Sequence, residues 1–473
     1  MNTYLFKLYG ECYIYSVFTN AIVKITEKLY EYLAGNISDE SLTEIDCSGL
    51  TYLRREGIIS DKDNQFVISH SETDILEDMY RNNLKSMILQ LTQNCNLRCK
   101  YCVYSGSYTN RTHNNKRMNW DTAKRALDFL LEHSSASPKI AIGFYGGEPL
   151  LEFELIQKCV AYAETIFVGK ELHFNMTTNA TLLSDEMIYF FQEHGFNITI
   201  SLDGPKEVQD SNRVLADNET GSFNTVIEKI KMIDRVAPDF YNNVSFNAVV
   251  DLQNNVSDIN DFFLSYDIIK NIFVSGNFVN PNGRKDKAKF DRECYIASKY
   301  ENFKTYLFYC TEIFSSYKPK LMNNLMDSLK KELYERTVIM PKDEVNIAAS
   351  GQCLPGLQRF FVSVDGNFFP CERVNENSCE YCIGNLEKGF DIVSAKRMLN
   401  VAHITEQECA RCWNIRLCGQ CVAMAEDNGE ISRSMRLKKC DEMKKTSSEH
   451  IKDYIVLKKY GCNFEKRDIY ENK

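Results

Sequence analysis

The chain has 473 residues and a net charge of −9, with its basic residues scattered along the sequence. This scatter argues against a nucleic-acid partner, because phosphates require a concentrated positive surface. No apolar run approaches the roughly 20 residues of a membrane span, and the N-terminus lacks the pattern of a secretory signal, so we expect a cytoplasmic protein of two or three domains without a membrane partner.

The N-terminal region alternates apolar and polar residues in short runs and then turns to helical periodicity. In chain order, we predict strands at 3–9, 12–18 and 21–25, helices at 27–35 and 41–57, and a closing strand at 64–70. This order predicts a winged-helix-like module. The polar, charged stretch at 61–85 is expected to be a connector.

From residue 85 onward, short β-rich runs alternate with long helical patterns. The predicted strands are 86–92, 139–145, 172–178, 197–203, 244–250 and 271–277. Repeated strand-then-helix units predict an α/β fold with a parallel sheet and right-handed crossovers, either doubly wound or an incomplete barrel. In both folds, ligands bind at the carboxyl ends of the strands.

The C-terminal third changes character again. Residues 290–345 have mostly helical patterns, 353–440 are cysteine-rich with few predicted regular elements, and 441–459 predict a charged helix. The expected domains are the module at 1–75, the parallel sheet at 76–300, a helical bridge at 301–350, a cysteine-rich domain at 351–445, and a helix and tail at 446–473.

Eighteen cysteines in a large cytoplasmic chain indicate metal binding or catalysis rather than disulfides. Three of them, Cys95, Cys99 and Cys102, follow the first predicted strand of the parallel sheet. Three thiolates on one loop can hold three irons of a four-iron cluster and leave the fourth iron open. A structural zinc site, the alternative, needs a fourth ligand that this loop does not supply.

With Tyr101 before the last cysteine, this loop resembles the radical S-adenosylmethionine (SAM) superfamily. The resemblance implies a partial (β/α)6 barrel similar to a TIM barrel. It also implies that SAM is bound at the open iron and cleaved by one electron to a 5′-deoxyadenosyl radical, which abstracts hydrogen from the substrate.

The segment Tyr145-Gly146-Gly147-Glu148-Pro149, after the second strand of this sheet, resembles the superfamily's GGEP motif. The resemblance implies that its glycines let the backbone approach the cofactor and that Glu148 meets the cofactor's ammonium group. Further cofactor contacts are implied at Thr178, Asn179, Ser201, Asp203, Arg213 and Val249. The alternatives are turn chemistry for the polar residues, a surface position for Arg213 and a core position for Val249.

The later cysteines resemble a SPASM domain, which carries two auxiliary four-iron clusters. The resemblance assigns Cys353, Cys371 and Cys421 to a near cluster, and Cys409, Cys412, Cys418 and Cys440 to an outer one. The near cluster has an open iron unless Cys379 or Cys382 completes it. Zinc binding is the alternative for the two CxxC pairs.

The N-terminal module resembles the peptide-recognition element of enzymes that modify ribosomally made peptides, which bind a leader peptide as an added strand. A plain winged-helix or dimerisation domain is the alternative. Together the resemblances imply a thioether-forming maturase of the ranthipeptide, sactipeptide or SCIFF type. Its partners would be a cysteine-rich precursor peptide and a flavodoxin- or ferredoxin-type reductant.

Four other functions remain open. Two are peptide or protein modifications, a cyclophane-forming crosslinker and an anaerobic sulfatase maturase. The others, from another class, are an iron-sulfur electron-transfer protein and a zinc-structural protein. The sequence identifies no protein acid or base.

Overall fold

The computed structural model describes residues 2–60, 66–105, 108, 112–217, 220–251, 253–279, 284–285, 291–311, 317, 319–336, 346–349 and 351–465. The strands are β1 Thr3–Leu8, β2 Glu11–Ser16, β3 Ala21–Ile25, β4 Val67–Ile68, β5 Ser86–Thr92, β6 Lys139–Gly146, β7 Glu171–Thr178, β8 Asn197–Ser201, β9 Val244–Val250, β10 Val274–Phe278, β11 Asn346–Ile347, β12 Phe360–Val362, β13 Asn367–Phe369, β14 Gly384–Asn385, β15 Gly389–Phe390, β16 Glu426–Asp427 and β17 Glu430–Ile431.

The α-helices are α1 Glu27–Leu33, α2 Glu44–Arg55, α3 Leu76–Asn82, α4 Trp120–Glu132, α5 Phe153–Ile166, α6 Asp185–Glu193, α7 Lys206–Asn212, α8 Phe223–Val236, α9 Val256–Ser265, α10 Arg292–Cys310, α11 Asn323–Leu329, α12 Ile392–Leu399, α13 Glu406–Cys409, α14 Arg433–Lys438 and α15 Cys440–Lys459. A π-helical turn, Lys330–Tyr334, follows α11. No helix in the described part of the chain is long and apolar enough to cross a membrane.

The N-terminal module has the predicted sheet-then-helix order. Strands β1, β2 and β3 form an antiparallel sheet, with β2 in the middle. Helix α2 begins with a capping box between Thr43 and Asp46, which satisfies otherwise unpaired N–H groups of its first turn. The helices bury Leu29 and Leu53 against Ile14 of the sheet.

Two predictions for the segment after this module are wrong. The run at 64–70 does not close the N-terminal sheet, because its described strand, β4, pairs in parallel with β11 of the C-terminal half. Residues 64 and 65 lie outside the described residues. The stretch at 61–85 is also more than a connector, since α3 buries Leu76 and Tyr80 in the main core. Its two buried side chains lie one helical turn apart, a pattern too short to stand out in a charged segment.

The centre of the molecule is a parallel sheet in the order β10-β9-β8-β7-β6-β5. The six predicted strands are present, although the last begins at Val274 rather than at residue 271. The crossover helices pack on one face of the sheet, where Ile142, Phe144 and Phe246 join the main core. Helices on a single face favour the incomplete barrel over the doubly wound alternative.

The other face of this sheet is polar. Side chains such as Tyr145, Asn175 and Asn247 alternate with the core residues along their strands and are half-buried. Asn277 Nδ2 donates to Asn247 Oδ1 at 2.7 Å, so neighbouring strands are also linked by side chains. A sheet with one apolar and one polar face leaves the polar face for a ligand.

The prediction of few regular elements in the cysteine-rich region is wrong. Strand β12 pairs in parallel with β5, and β13, β14 and β15 follow antiparallel, so this region extends the central sheet to ten strands. These strands have two or three residues each, too few for periodicity to reveal them.

The C-terminal helix α15 packs against the N-terminal module rather than extending away from the protein. Ile451 and Tyr454 of α15 share a buried cluster with Phe6 and Tyr15. The two ends of the chain are therefore joined through a common apolar core.

Candidate active site

The loop that carries Cys95, Cys99 and Cys102 leaves the carboxyl end of β5 and is held on one side by the end of β6. Gly147 N donates to Thr92 O at 2.9 Å, and Glu148 N donates to Asn94 O at 3.0 Å. A Cβ on Gly147 would lie 2.1 Å from Asn94 O, and one on Gly146, whose φ is +150°, would lie 2.3 Å from Thr92 O. The glycines therefore allow close approach to the cysteine loop itself, whereas the sequence led us to expect a ligand there.

The loop is held on its other side by the segment after α7. Arg98 N donates to Val214 O at 2.8 Å and Lys100 N donates to Asn212 O at 3.0 Å. In the reverse direction, Ala216 N donates to Asn96 O at 2.9 Å. These backbone bonds fix the position of a loop that has no regular structure of its own.

The thiols of this loop have the surroundings of a cluster site. Leu97 N donates to Cys95 Sγ and Tyr104 N donates to Cys102 Sγ, each at 3.4 Å, and such N–H bonds stabilise cluster-bound thiolates. Burial raises the pKa of the Cys95 and Cys99 thiols to about 12, so a bound cation is needed to ionise them at neutral pH.

Within the described residues, no group of three or more His, Cys, Asp or Glu side chains has the arrangement of a single-ion site. Whether an iron-sulfur cluster fits this loop is therefore judged from the loop's own atoms. These are three thiols and the backbone N–H groups that donate to two of them.

Glu148 is buried where β6 and β7 end. Its carboxylate accepts hydrogen bonds from Thr178 Oγ1 at 2.7 Å, Asn179 N at 2.8 Å and Leu150 N at 3.0 Å. Burial raises the pKa of Glu148 to about 6, although these three donors favour its ionised form. Pro149, also buried, begins a short 3-10 turn that directs the chain into α5.

Asn179 connects the end of β7 to the cysteine loop. Its Nδ2 donates to Asn96 Oδ1 at 2.9 Å and lies 3.8 Å from Cys95 Sγ. Thr178 and Asn179, predicted as cofactor contacts, therefore lie together with Glu148 beside the first cysteine.

Asp203 is the centre of a second buried cluster. Its carboxylate accepts two bonds from Arg213, at 3.0 and 3.1 Å, one from Val249 N at 3.0 Å, and one from the Tyr101 hydroxyl. The guanidinium carbon of Arg213 lies 5.4 Å from the Tyr101 ring centre, and burial raises the Tyr101 pKa well above its usual value. Arg213, predicted to meet the cofactor carboxylate, thus binds the carboxylate of Asp203.

The structure brings four predicted residues together in this second cluster, and Ser201 lies buried two residues before Asp203, at the end of β8. Sequence reasoning missed Gln209, whose Oε1 accepts from Asp203 N at 2.8 Å. The only signal for Gln209 in the sequence is that it is a polar residue on the inner face of the short helix α7.

Sequence reasoning also missed a carboxylate that joins the cysteine-rich region to this site. Glu376 accepts hydrogen bonds from Gln90 Nε2 at 2.7 Å, Tyr104 Oη at 2.9 Å and Gln93 Nε2 at 3.2 Å. Gln90 lies inside β5 and Tyr104 follows Cys102 by two residues. A buried glutamine within an apolar strand is the one signal that could have pointed here.

The cysteines assigned to a near cluster, Cys353, Cys371 and Cys421, are close enough to influence one another's ionisation. The pKa of Cys371 is raised to about 11, chiefly by burial and then by the nearby charge of Glu372, with smaller contributions from Cys353 and Cys421. Cys379 is exposed, while Cys382 Sγ donates to Gly384 O at 3.1 Å.

The four cysteines assigned to an outer cluster line one cavity: Cys409, Cys412, Cys418 and Cys440. Asn414 N donates to Cys412 Sγ at 3.4 Å. The amides of Asn414 and Gln420 also line the cavity, and each has a buried oxygen without a partner among the described residues. Gln420 Nε2 donates to Cys440 Sγ at 3.9 Å, and a half-turn of the Asn414 amide would exchange its oxygen for an NH2 group and present a second donor.

Residues 89–264 match the family model of the Radical SAM superfamily. An uncharacterized protein of Methanocaldococcus jannaschii is 36% identical over 143 residues, which are 30% of this chain and 46% of that protein, so the chain spans less than half of that relative. The cysteine-type anaerobic sulfatase-maturating enzyme of Clostridium novyi is 24% identical over 310 residues, 65% of this chain and 77% of the enzyme.

The solved structure of native anSMEcpe with bound AdoMet has a similar fold. Its TM-score is 0.58 at 18% identity, and the superposition covers 78% of this chain and 99% of that one. The likeness at this identity concerns the fold, and about a fifth of this chain lies outside the superposition.

Proposed function

We propose, from the premise that residues 89–264 are a radical SAM domain related to sulfatase-maturating enzymes, that this chain cleaves SAM reductively and forms thioether crosslinks in a cysteine-rich, ribosomally made peptide. The observation that carries the first part is the loop of Cys95, Cys99 and Cys102, fixed by backbone hydrogen bonds on both sides. Its three thiols leave one corner of a four-iron cluster for SAM.

A cluster and SAM, when bound, supply the 5′-deoxyadenosyl radical. The protein's own residues do the positioning. Glu148 lies beside Cys95 and carries a negative charge above pH 6, so it attracts the ammonium group of SAM. Asp203 and Arg213 neutralise each other and hold Tyr101 within the cysteine loop, which keeps this loop rigid.

The peptide part of the proposal rests on the C-terminal cysteines and the N-terminal module. Cys353, Cys371 and Cys421 form a set of three, so an auxiliary four-iron cluster there has a corner free for a substrate thiolate. Cys409, Cys412, Cys418 and Cys440 supply four thiols for an outer cluster that receives an electron.

The N-terminal module supplies a place for the leader peptide. Strand β3 pairs with β2 on one side, and the described residues add no strand on its other side, so a leader could be added there by backbone hydrogen bonds. The half-buried polar face of the central sheet would then receive the peptide segment to be modified.

The net reaction breaks one C–H and one S–H bond of the peptide and forms one C–S bond. One hydrogen leaves in 5′-deoxyadenosine, with methionine as the other product of SAM, and the thiol proton goes to solvent. The electron that begins SAM cleavage is recovered when the C–S bond forms. A flavodoxin- or ferredoxin-type protein is proposed as its physiological source.

The second candidate is maturation of a sulfatase, in which a cysteine or serine of a protein is oxidised. The Clostridium novyi relative favours it, because that enzyme is matched over most of its length. The N-terminal module favours the peptide maturase, since the outer edge of β3 offers a leader peptide a strand to pair with.

The test is incubation of the anaerobic, reduced protein with SAM and a cysteine-rich peptide encoded beside its gene. We expect 5′-deoxyadenosine and a peptide lighter by two hydrogens per link with its thiols consumed, measured by mass spectrometry before and after alkylation. Loss of mass with all thiols still alkylated would instead indicate a carbon-carbon crosslink, and reaction of a sulfatase peptide alone would indicate the second candidate.

The matched control uses two cysteine variants. Cys95→Ala should abolish 5′-deoxyadenosine formation, whereas Cys47→Ala, at an exposed position of α2, should leave it unchanged. If Cys95→Ala still cleaved SAM, the radical SAM assignment of this loop would be wrong.

A further inference from the structure

Arg436 is a buried arginine beside the four thiols of the outer cavity. It belongs to α14, four residues before Cys440, and only 1% of its surface is exposed. Its Nε donates to Thr405 Oγ1 at 3.0 Å, and that hydroxyl lies 3.3 Å from Cys409 Sγ. Among the described residues, its Nη1 is buried without a hydrogen-bond partner.

The charged side chains that line this cavity are all positive among the described residues. Arg436 and Lys444 both line it, together with Cys409, Cys412, Cys418 and Cys440, and no carboxylate of a described residue does. Elsewhere the buried arginine Arg213 has Asp203 as its partner. Burying a charge without a partner is unfavourable, so the position of Arg436 indicates that the cavity receives an anion.

A four-iron cluster held by four thiolates is such an anion, since its sulfurs carry more negative charge than its irons neutralise. A nearby cation stabilises the reduced form most, because reduction adds another negative charge, and net charge and hydrogen bonds to sulfur are known to set cluster potentials. Arg436 is buried and, among the described residues, has a free N–H group, so it can supply both a positive charge and a hydrogen bond to sulfur.

We propose that Arg436 is a positioning residue that raises the reduction potential of the outer cluster and so makes that cluster an electron acceptor. The inference rests on the proposed function, because it requires an iron-sulfur cluster at Cys409, Cys412, Cys418 and Cys440. It concerns the potential of that cluster and makes no claim about which peptide is modified.

The test is a redox titration with dithionite, followed by EPR, in full-length protein whose Cys95, Cys99 and Cys102 are changed to alanine so that the radical cluster is absent. We expect Arg436→Gln to lower the equilibrium constant for one-electron reduction of the outer cluster about tenfold or more, which is about 59 mV. The near cluster of the same protein is the internal reference and should keep its potential.

Two further variants separate charge from shape. Arg436→Lys keeps the charge and should stay closer to the unchanged protein than Arg436→Gln does, while Arg433→Gln, on the exposed side of the same helix, should have no effect. If Arg436→Gln loses the outer cluster's iron while Arg436→Lys retains it, the positive charge at position 436 is required for the cluster to be held. Loss from both variants, or an unchanged potential in Arg436→Gln with its iron retained, would overturn the inference.

Zinc at this site of the unchanged protein would overturn the inference together with the outer-cluster assignment. The radical SAM part of the proposed function would survive that result, because it is measured separately by 5′-deoxyadenosine formation. If the inference alone fails, Arg436→Gln will keep its full complement of iron and the reduction potential of its outer cluster will not change.

Discussion

The radical loop, residues 95–102, and the outer cavity both gather thiols, but they balance charge in opposite ways. Beside the loop, the buried Arg213 is neutralised by Asp203, and the buried Glu148 adds a negative group. Around the outer cavity, Arg436 and Lys444 have no carboxylate beside them among the described lining residues. We therefore expect a cluster at the loop to be the harder of the two to reduce, as a donor of electrons to SAM must be.

The two regions also differ in how the chain builds them. The loop takes its three thiols from eight consecutive residues, whereas the outer cavity takes four from positions 409 to 440. A contiguous loop needs its neighbours only to fix its position. A dispersed site depends on the fold that brings its parts together, so changes at the two regions should have different consequences.

The largest effect is expected where the charge balance of the loop is broken. Asp203→Asn leaves Arg213 buried without its anion, and breaking a buried ion pair costs about 3–5 kcal/mol of unfolding free energy. Urea denaturation followed by fluorescence would measure it. The control is Asp365→Asn at the exposed Lys116–Asp365 pair, where about 1 kcal/mol or less is expected. Equal effects of the two changes would show that Arg213 has another partner.

The loop itself could be foreseen from the sequence, but its supports could not. Spacing identified Cys95, Cys99 and Cys102, because they occupy a single loop after a predictable strand. That Gly147 packs on Asn94, and that Glu376 reaches Gln90 from a region almost 300 residues away, follows from tertiary packing that no local pattern records.

The same limit applies to the cysteine-rich region. Its strands are too short for periodicity, and Arg436 is one of several basic residues between 433 and 445, so nothing in the sequence marks it as buried. The central sheet was predictable because its strands, five to eight residues long, carry regularly spaced apolar residues, and helical periodicity separates them.

The second-largest effect tests the contrast between the contiguous radical loop and the dispersed outer cavity. Gly147→Ala would put a Cβ 2.1 Å from Asn94 O, and only a shift of the backbone before Cys95 could relieve that overlap. Because displacement by about 1 Å can cost about 100-fold in rate, we expect SAM cleavage to fall by about that factor while the later clusters keep their iron. Gly49→Ala in α2, which meets only the flexible end of Leu29, is the control. Retained SAM cleavage in Gly147→Ala would show that the loop adapts.

A smaller effect concerns pH. Burial raises the pKa of Glu148 from its ordinary 4.5 to about 6, so the carboxyl is neutral below that pH and charged above it. Affinity for SAM should therefore weaken as pH falls below about 6, by up to about tenfold per pH unit, and level off above it. The free energy of unfolding changes with pH in the opposite direction to the affinity. It falls as the pH rises from 4.5 to about 6, because the buried carboxyl of Glu148 becomes charged. Calorimetric titration would measure the affinity, and a persisting pH dependence in Glu148→Gln would assign it to another group.

The smallest effect is expected at the two cysteines that could complete the near cluster. Cys379 is exposed, and the thiol of Cys382 donates to Gly384 O at 3.1 Å, which directs it toward its own backbone. A serine at either position should therefore leave the iron content and the EPR signal of the anaerobic protein unchanged, whereas Cys371→Ser should remove one cluster. If Cys382→Ser alone lost iron, the near cluster would have four protein ligands and no corner for a substrate thiolate. The thioether proposal would then lose its binding site for sulfur, while the contrast in charge between the radical loop and the outer cavity would stand.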